Sequence, residues 1–183
     1  MFIRTERLFL RPGWPEDMDE LAEVLSEEAA SRGPSDRTVL ARRFAELKAY
    51  LSRPRERLLP HFLINLREDD GARLIGGVTL ARRGEDVELG YWLARRHRGQ
   101  GYAAEAVRAV LAEARMLGHT QVVAAPDIML DGHGPRVLEQ AGFKLAPETR
   151  RRGSMAGAAR PYVAVLADKL FDVLGVGPQL ART

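Results

Sequence analysis

The segment from Arg95 to Gly101 combines four consecutive basic side chains with two glycines. Arginine side chains form charge-assisted hydrogen bonds with phosphates, and glycine lets an anion approach the main chain closely. A solvated turn needs no such concentration of positive charge. These residue types at this spacing therefore predict a site for a phosphate or pyrophosphate group. The basic residues are Arg95, Arg96, His97 and Arg98.

Two elements must position this segment. An apolar strand ends near Leu93 or Ala94, and a helix runs from about Gln100 to Leu117, where Gly118 ends it. The first N–H groups of a helix have no partner inside the helix, and the helix dipole adds positive potential there. We therefore expect the anion to be bound mainly by main-chain N–H groups, with contacts added by the exposed side chains of Arg96 and Arg98.

Two nucleotide-binding motifs do not fit this segment. Gly99, Gly101 and Ala104 satisfy a loose G-x-G-x-x-A pattern. The dinucleotide-binding fold, however, places its glycines directly after its first strand, whereas three hairpin-linked strands come first here. A P-loop is excluded because Gly101 is not followed by Lys-Ser or Lys-Thr.

The rest of the sequence predicts one α+β domain over residues 1–183, with a short tail at 171–183. The alternating "TERLFLR" (5–11) indicates a strand that Pro12 and Gly13 end. Helices are predicted from Pro15, from Ser35 or Asp36 to Leu51, and over "GPRVLEQAGF" up to Gly142. Further strands are predicted at 61–66, 74–81, 86–94 and 121–127, and in "FKLAPETR" and "PYVAVLADKL".

Composition excludes several classes of function. The chain has 183 residues, 45% of them hydrophobic and 29% charged, and a net charge of +3, which is ordinary for a globular protein. No run of about 18 apolar residues predicts a membrane span. The start of the chain lacks the apolar stretch of a signal peptide, so we expect a cytoplasmic protein without a membrane partner. The chain has no cysteine and only four scattered histidines, so no metal site is expected.

The segment also resembles the coenzyme A motif Q/R-x-x-G-x-G/A of the GNAT superfamily of acyl-CoA N-acetyltransferases. Residues 96–101, "RHRGQG", match this motif between a strand and a long helix. Three further segments, "TERLFLRP", "ELGYWL" and "RVLEQAGF", resemble the Rim-type branch, named for ribosomal-protein N-terminal acetyltransferases. Together these motifs extend from residue 5 to about residue 169.

The resemblance implies a GNAT-type fold: a mixed, mostly antiparallel sheet of about seven strands flanked by about four helices. Two central strands diverge, and acetyl-CoA is bound between them. Leu93 would contact pantetheine and the thioester through its main chain, and Asp131 would either contact pantetheine or cap a helix. The pyrophosphate would be surrounded by the motif segment and the residues after it: Arg96, Arg98, Gly99, Gln100, Gly101, Tyr102 and Ala103.

Glu88 is the candidate general base. It lies in an otherwise apolar strand, where burial raises the pKa of a carboxylate, and the resemblance places an acidic residue beside the acceptor cleft there. The alternative is that Glu88 faces solvent near a turn. Many members of the family have a Tyr on the short helix that could act as general acid, but this chain has Leu138 there, and Tyr91, Tyr102 and Tyr162 are better explained as packing residues. The branch's Asn and Ser are replaced by Asp131 and Gly134.

The sequence thus predicts an acetyl-CoA-dependent N-acetyltransferase that acts by direct transfer, since no cysteine can carry the acyl group. The acceptor would be a primary amine, either a protein N-terminus or a small molecule. The small-residue loop 150–160 is predicted to be a mobile lid beside it. One alternative is a non-catalytic acyl-CoA-binding module. Another is an RNA-associated basic domain, suggested by Arg150–Arg152, although no nucleic-acid partner is expected. Homodimer formation stays open.

Overall fold

The computed structural model of the protein describes residues 1–30, 58–69, 71–125, 134–147 and 160–166, together with Ala45. Within these ranges the chain forms α-helices α1 (Met18–Ala30), α2 (Tyr102–Met116) and α3 (Gly134–Gln140), with 3-10 turns at Pro15–Asp17 and Arg95–His97. The strands are β1 (Ile3–Arg4), β2 (Leu8–Arg11), β3 (His61–Glu68), β4 (Gly71–Arg83), β5 (Asp86–Leu93), β6 (Gln121–Ala124), β7 (Lys144–Leu145) and β8 (Tyr162–Val165).

The strands form one sheet in the order β1-β2-β3-β4-β5-β6-β8-β7. Every neighbouring pair is antiparallel except β5 and β6, which are parallel. The predicted α+β class with a mixed, mostly antiparallel sheet is therefore confirmed. The described part has eight strands rather than about seven, because Ile3 and Arg4 pair with Leu10 and Phe9 in a short ladder. The helix predicted from residue 35 or 36 to residue 51 lies outside the described residues.

The two central hairpins are longer than the hydrophobic pattern predicted. Pairing of β3 with β4 continues to Glu68 and Gly71, and pairing of β4 with β5 continues to Arg83 and Asp86. The apolar pattern stops earlier because the ends of both hairpins are polar and exposed to solvent. Main-chain hydrogen bonds of the ladder do not depend on side-chain polarity, so the strands extend to the turns.

Helices cover both faces of the sheet. On one face, α2 and α3 pack on the larger core cluster, which includes Val107, Val110, Leu138 and Phe143. The predicted apolar stripe of α2 is buried from Ala103 to Ala114. On the other face, α1 contributes Leu21 to a smaller cluster with Leu63, Leu74 and the half-buried Trp92. No helix in the described ranges is long and apolar enough to cross a membrane.

The sheet opens between its two parallel strands. The described ladder between β5 and β6 has a single rung, Glu88 opposite Val123. Beyond that rung β5 continues to Leu93, still paired with Gly76 of β4, while β6 ends at Ala124, paired with Tyr162 of β8. The described pairing of β5 with β6 therefore stops at this rung, in agreement with the divergence that the resemblance implied.

Candidate active site

The predicted anion-binding segment forms a tight loop between β5 and α2. The 3-10 turn at Arg95–His97 comes first, and α2 begins at Tyr102, slightly later than predicted. Gly99 and Gly101 have φ angles of 74° and 82°, which lie in the left-handed region that side chains other than glycine rarely adopt. Both glycines are exposed, so the main chain of the loop is open to a ligand.

Gly101 caps the start of α2. Its carbonyl accepts the first intrahelical hydrogen bond, from the Glu105 N–H at 3.0 Å. The N–H groups of Tyr102, Ala103 and Ala104 precede this bond, so they have no acceptor inside the helix. They lie at the positive end of the helix dipole. This geometry suits an anion beside the main chain of the loop.

The basic cluster is less uniform than its sequence suggested. His97 is buried, and its Nε2 atom accepts a hydrogen bond of 3.1 Å from Nε of Arg96. Arg98 is half-buried rather than exposed, because its Nε donates to the Leu93 carbonyl at 2.9 Å. Gln100 also contributes locally, since its Nε2 donates to the Arg96 carbonyl at 3.1 Å. Part of this polar set therefore builds the loop itself.

The Leu93 carbonyl lies where the two parallel strands diverge. The N–H of Ala94 donates to the Ile75 carbonyl on β4 at 2.8 Å. In a trans peptide the carbonyl and the following N–H point in opposite directions, so the Leu93 carbonyl points away from β4 and toward the opening. Arg98 therefore connects the loop to this opening.

Glu88 lies at the single rung between β5 and β6. Its exposed fraction is 5%, which argues against the alternative of a solvated position. Because Val87 and Leu89 belong to the core under α2, the Glu88 side chain points to the opposite face, like Trp92. Nε of the largely exposed Arg83 lies 3.6 Å from Glu88 Oε2.

His61 shares this face, and the sequence prediction considered it only as a metal ligand. It pairs with Thr79, which pairs in turn with Gly90. This row lies two positions from the Ala81–Glu88 pair and is its nearest neighbour on the same face. Burial lowers the pKa of His61 to about 4, so its imidazole is neutral at physiological pH. In the described part of the chain, no group of three or more His, Asp or Glu residues could hold a metal ion.

A second set of residues missed by the sequence prediction surrounds the start of α2. Arg7, in the turn before β2, forms an ion pair of 2.7 Å with Glu105 and donates to the Gln100 carbonyl at 2.9 Å. Its guanidinium carbon lies 4.5 Å from the centre of the Tyr102 ring. Thr5 donates its hydroxyl to Glu105 at 2.5 Å. Nothing in the local sequence pattern predicts this pairing, because Arg7 and Glu105 are 98 positions apart.

The side chain of Leu138, at the position where many family members have a tyrosine, is buried in the core. The Tyr162 hydroxyl donates to Glu139 Oε1 at 3.2 Å, and burial together with this bond raises the pKa of Tyr162. Tyr91 packs against the core. Asp131 and loop residues 150–159 lie outside the described residues, so their predicted roles stay predictions. Gly134 is buried at the start of α3.

Comparison with solved structures shows where this fold recurs. The acetyltransferase from Agrobacterium tumefaciens is 22% identical, with a TM-score of 0.59, and the match covers 90% of this chain and 94% of that one. RimL, a ribosomal L7/L12 alpha-N-protein acetyltransferase solved with coenzyme A, is 14% identical, with a TM-score of 0.64 and coverage of 90% and 98%.

A third structure is the Salmonella typhimurium acetyl transferase that modifies the N-terminal serine of 50S ribosomal subunit protein L7/L12. It is 14% identical, with a TM-score of 0.56, and covers 90% of this chain and 99% of its own. A search of curated proteins finds no match.

The model of the acetyltransferase (GNAT) domain family matches residues 7–144. This range contains the diverging strands, the glycine loop and α2, which are the elements that build the candidate site. The family predicted from the motifs is thereby confirmed, while the Rim-type branch stays a prediction. The chain belongs to the GNAT acetyltransferase family.

Proposed function

We propose that this protein transfers an acetyl group from acetyl-CoA directly to a primary amine. The observation that carries the proposal is the exposed loop at the start of α2, where two left-handed glycines leave main-chain N–H groups open to an anion. Acetyl-CoA carries a pyrophosphate that this site suits. The neighbouring RimL structure contains coenzyme A, which supports the same donor.

The donor-binding residues are proposed from the loop upward. Main-chain groups from Gly99 to Ala103 would bind the pyrophosphate, and Arg96 adds positive charge at the loop surface. The pantetheine would follow the opening between β5 and β6, where the Leu93 carbonyl is directed. Arg98 would then act mainly by fixing that carbonyl, to which its Nε donates. Asp131 would contact the pantetheine or cap the helix, as predicted from the sequence.

Glu88 is the proposed general base. Acetyl-CoA supplies an acyl carbon already activated as a thioester, with a leaving thiolate whose conjugate acid resembles a cysteine thiol, of pKa about 8.5. A primary amine titrates near 10, like lysine, so it must lose a proton before or during attack. The buried Glu88 carboxylate, on the face opposite α2, accepts this proton directly or through one water.

The acceptor is proposed only as a class. Two structural neighbours act on ribosomal protein L7/L12, according to their names, which supports a protein N-terminus. A polyamine, an amino acid and an aminoglycoside are the small-molecule alternatives. A non-catalytic acyl-CoA-binding module is the second candidate, because the buried Leu138 provides no proton donor on α3.

Thiol release from acetyl-CoA, measured with a panel of these amines, tests the activity. Release that depends on an amine supports acetyl transfer. Binding of acetyl-CoA without release for any class of amine would favour the non-catalytic module, and absence of binding would overturn the proposal.

Calorimetry with a matched pair of variants tests the site. Gly101→Ala and Gly118→Ala each place a methyl group on a residue with a left-handed φ, 82° and 87° respectively, at opposite ends of α2. Both substitutions should destabilise the fold, by roughly 1–3 kcal/mol each. Only Gly101→Ala should weaken acetyl-CoA binding, by at least about tenfold. Equal affinities of the two variants would contradict a main-chain site.

A further inference from the structure

Arg7 contacts three residues at the start of α2, and the proposed activity assigns it no role. Its Nε and Nη2 atoms lie 2.8 Å and 2.7 Å from Glu105 Oε2, and its main-chain N–H donates to Glu105 Oε1 at 3.0 Å. Nη1 donates to the Gln100 carbonyl at 2.9 Å, and the guanidinium lies over the Tyr102 ring. One side chain thus fixes both the glycine loop and the first turn of α2.

The bond to Gln100 determines where the next N–H points. The peptide between Gln100 and Gly101 is trans, so its carbonyl and its N–H point in opposite directions. Arg7 holds the carbonyl on its own side, and the Gly101 N–H therefore points away from Arg7. Gln100 and Gly101 are both exposed, so we expect this N–H to be open to the proposed anion.

The pairing with Glu105 also addresses an electrostatic problem. A carboxylate in the first turn is favourable for the helix dipole, but it would repel a pyrophosphate at the same helix end. Burial opposes ionisation of Glu105, yet hydrogen bonds from Thr5 and Arg7 outweigh it and lower the pKa of the carboxyl. Glu105 is therefore charged, and the positive charge of Arg7, 2.7 Å away, compensates the negative charge of the carboxylate.

We infer that Arg7 is a positioning residue for the donor: it orients the Gly101 N–H toward the pyrophosphate and neutralises Glu105 beneath it. This inference rests on the proposed function. A loop whose peptide planes are fixed before binding avoids the free-energy cost of ordering them when the ligand arrives. The guanidinium fork suits the task because one group can bond a carboxylate and a carbonyl together, whereas lysine presents a single ammonium.

Arg67 provides a matched control. Its Nη1 donates to the Thr5 and Glu6 carbonyls at 3.3 Å and 3.0 Å, close to Arg7, and within the described part of the chain its side chain makes no hydrogen bond to the glycine loop. Arg7→Gln and Arg67→Gln remove the same charge from the same region. Calorimetry with coenzyme A should show a loss of roughly tenfold or more for Arg7→Gln and less than about threefold for Arg67→Gln. Arg7→Lys should recover only part of the affinity.

A truncated ligand separates positioning from general structural damage. S-acetylpantetheine lacks the pyrophosphate, so its dissociation constant, measured by NMR titration, should be the same for wild type and Arg7→Gln. If Arg7 acted only in folding, Arg7→Gln would weaken the binding of coenzyme A and of S-acetylpantetheine alike. Thermal unfolding of each variant checks that the comparison is made on folded protein, and Arg7→Lys replaces Arg7→Gln in every measurement if the latter fails to fold.

For Glu105→Gln, two explanations predict opposite changes in the affinity for coenzyme A. If only net charge mattered, removal of a carboxylate beside the anion would tighten coenzyme A binding. If Arg7 is a positioning residue, the amide replaces one acceptor oxygen of Glu105 with an NH2 donor. Arg7 is then held less firmly, and coenzyme A binding weakens. Tighter binding by Glu105→Gln, or equal losses for Arg7→Gln and Arg67→Gln, would overturn the inference while leaving the proposed function intact. Failure of the wild-type protein to bind coenzyme A would overturn both.

Discussion

Glu88 combines a buried carboxylate with a position at the point where the sheet opens. It lies opposite Val123 at the one described rung between the parallel strands, and the side chain is directed to the face that does not carry α2. An acid within an apolar strand is costly unless it is paired or functional. Nε of the largely exposed Arg83 lies 3.6 Å from Glu88 Oε2, so the buried carboxylate has a charged partner at the edge of the opening.

Replacement of Glu88 by Gln should keep the shape of the side chain and remove its basicity. General-base catalysis contributes about 10² to 10⁴ in rate, so kcat should fall at least about tenfold while acetyl-CoA binds normally. The loss should shrink as the pH rises, because the acceptor amine then deprotonates in bulk water. A pH–rate profile of wild type and Glu88→Gln measures both effects.

Arg83→Gln serves as the control for this substitution. It removes the ion pair with Glu88 but leaves the carboxylate, so kcat should change little. If Glu88 only orients the ammonium group of the acceptor, Glu88→Gln should raise KM with little change in kcat. An unchanged kcat at pH 7 with a confirmed acceptor would remove Glu88 from the mechanism.

At the scale of elements, the carboxyl end of β5 connects the sheet to the glycine loop. Its last rung pairs Leu93 with Gly76 of β4, and the Leu93 carbonyl accepts the bond from Arg98. The neighbouring Gly77 pairs with Trp92, whose side chain lies on the opposite face. Gly76 therefore lies against the main chain of β5, whereas Gly77 lies against the Trp92 side chain.

Alanine substitutions at these two glycines should separate stability from donor binding. A methyl group on Gly76 would collide with the Trp92 carbonyl oxygen and approach Leu93 Cδ2 to 2.6 Å, whereas on Gly77 it would approach Trp92 Nε1 to 2.6 Å. Each variant should lose about 1–3 kcal/mol of stability by overpacking. Only Gly76→Ala should also weaken acetyl-CoA binding, because it displaces the main chain at Leu93. Denaturant unfolding and calorimetry measure the two effects, and normal binding by a folded Gly76→Ala would refute the role of this rung.

At the scale of the whole molecule, the sheet separates two environments. The glycine loop leads into α2 on one face, while Glu88 and His61 lie on the other. The proposed donor and acceptor would thus approach from opposite faces and meet where β5 and β6 diverge. His61 is polar but held neutral by burial, so this face contributes to the pH dependence of stability as well as to the proposed chemistry.

The free energy of unfolding should fall as the pH decreases from about 6.5 to about 4. The pKa of His61 is about 4 in the folded protein, against 6.5 for an unperturbed histidine, so the unfolded chain binds this proton first. The contribution of the neutral His61 to the free energy of unfolding is fully present above pH 6.5 and disappears as the pH falls toward 4. Urea unfolding at several pH values should show a shallower dependence for His61→Gln in this window. Parallel curves for the two proteins would show that His61 does not cause it.

Below about pH 4 a second decrease in the free energy of unfolding should follow in both the wild type and His61→Gln. Bonds from Arg11 and the Trp14 N–H outweigh burial and lower the pKa of Asp17, and the pKa of Glu105 is lowered in the same way. A lowered carboxyl pKa stabilises the fold above the unfolded value and is lost as the pH falls through the folded value. This second decrease should therefore persist in His61→Gln.

The sequence by itself determined the features that depend on near neighbours. The hairpins, the apolar stripe of α2 and the glycines before that helix follow from hydrophobic period and backbone preferences within a few residues. They were sufficient to predict the α+β class and to select the glycine loop, whereas the family, and in part the choice of Glu88, rested on the resemblance of four motifs to known acetyltransferases. Strand ends moved in both directions: β3 and β4 extend past the apolar pattern because main-chain pairing continues to the turns, whereas β7 covers only Lys144–Leu145 of the strand predicted in "FKLAPETR".

Only the tertiary structure decided which distant residues meet. Arg7 reaches Glu105 because β2 lies beside the start of α2, and no local signal encodes a contact across 98 positions. Packing also decided that His97 and Arg98 form hydrogen bonds that stabilise the loop. In the sequence they belonged to a basic cluster predicted to bind phosphate. The divergence of β5 from β6 depends on the sheet as a whole, since β5 has its second partner in the adjacent hairpin strand β4, whereas β6 has its second partner, β8, about 40 positions further along the chain.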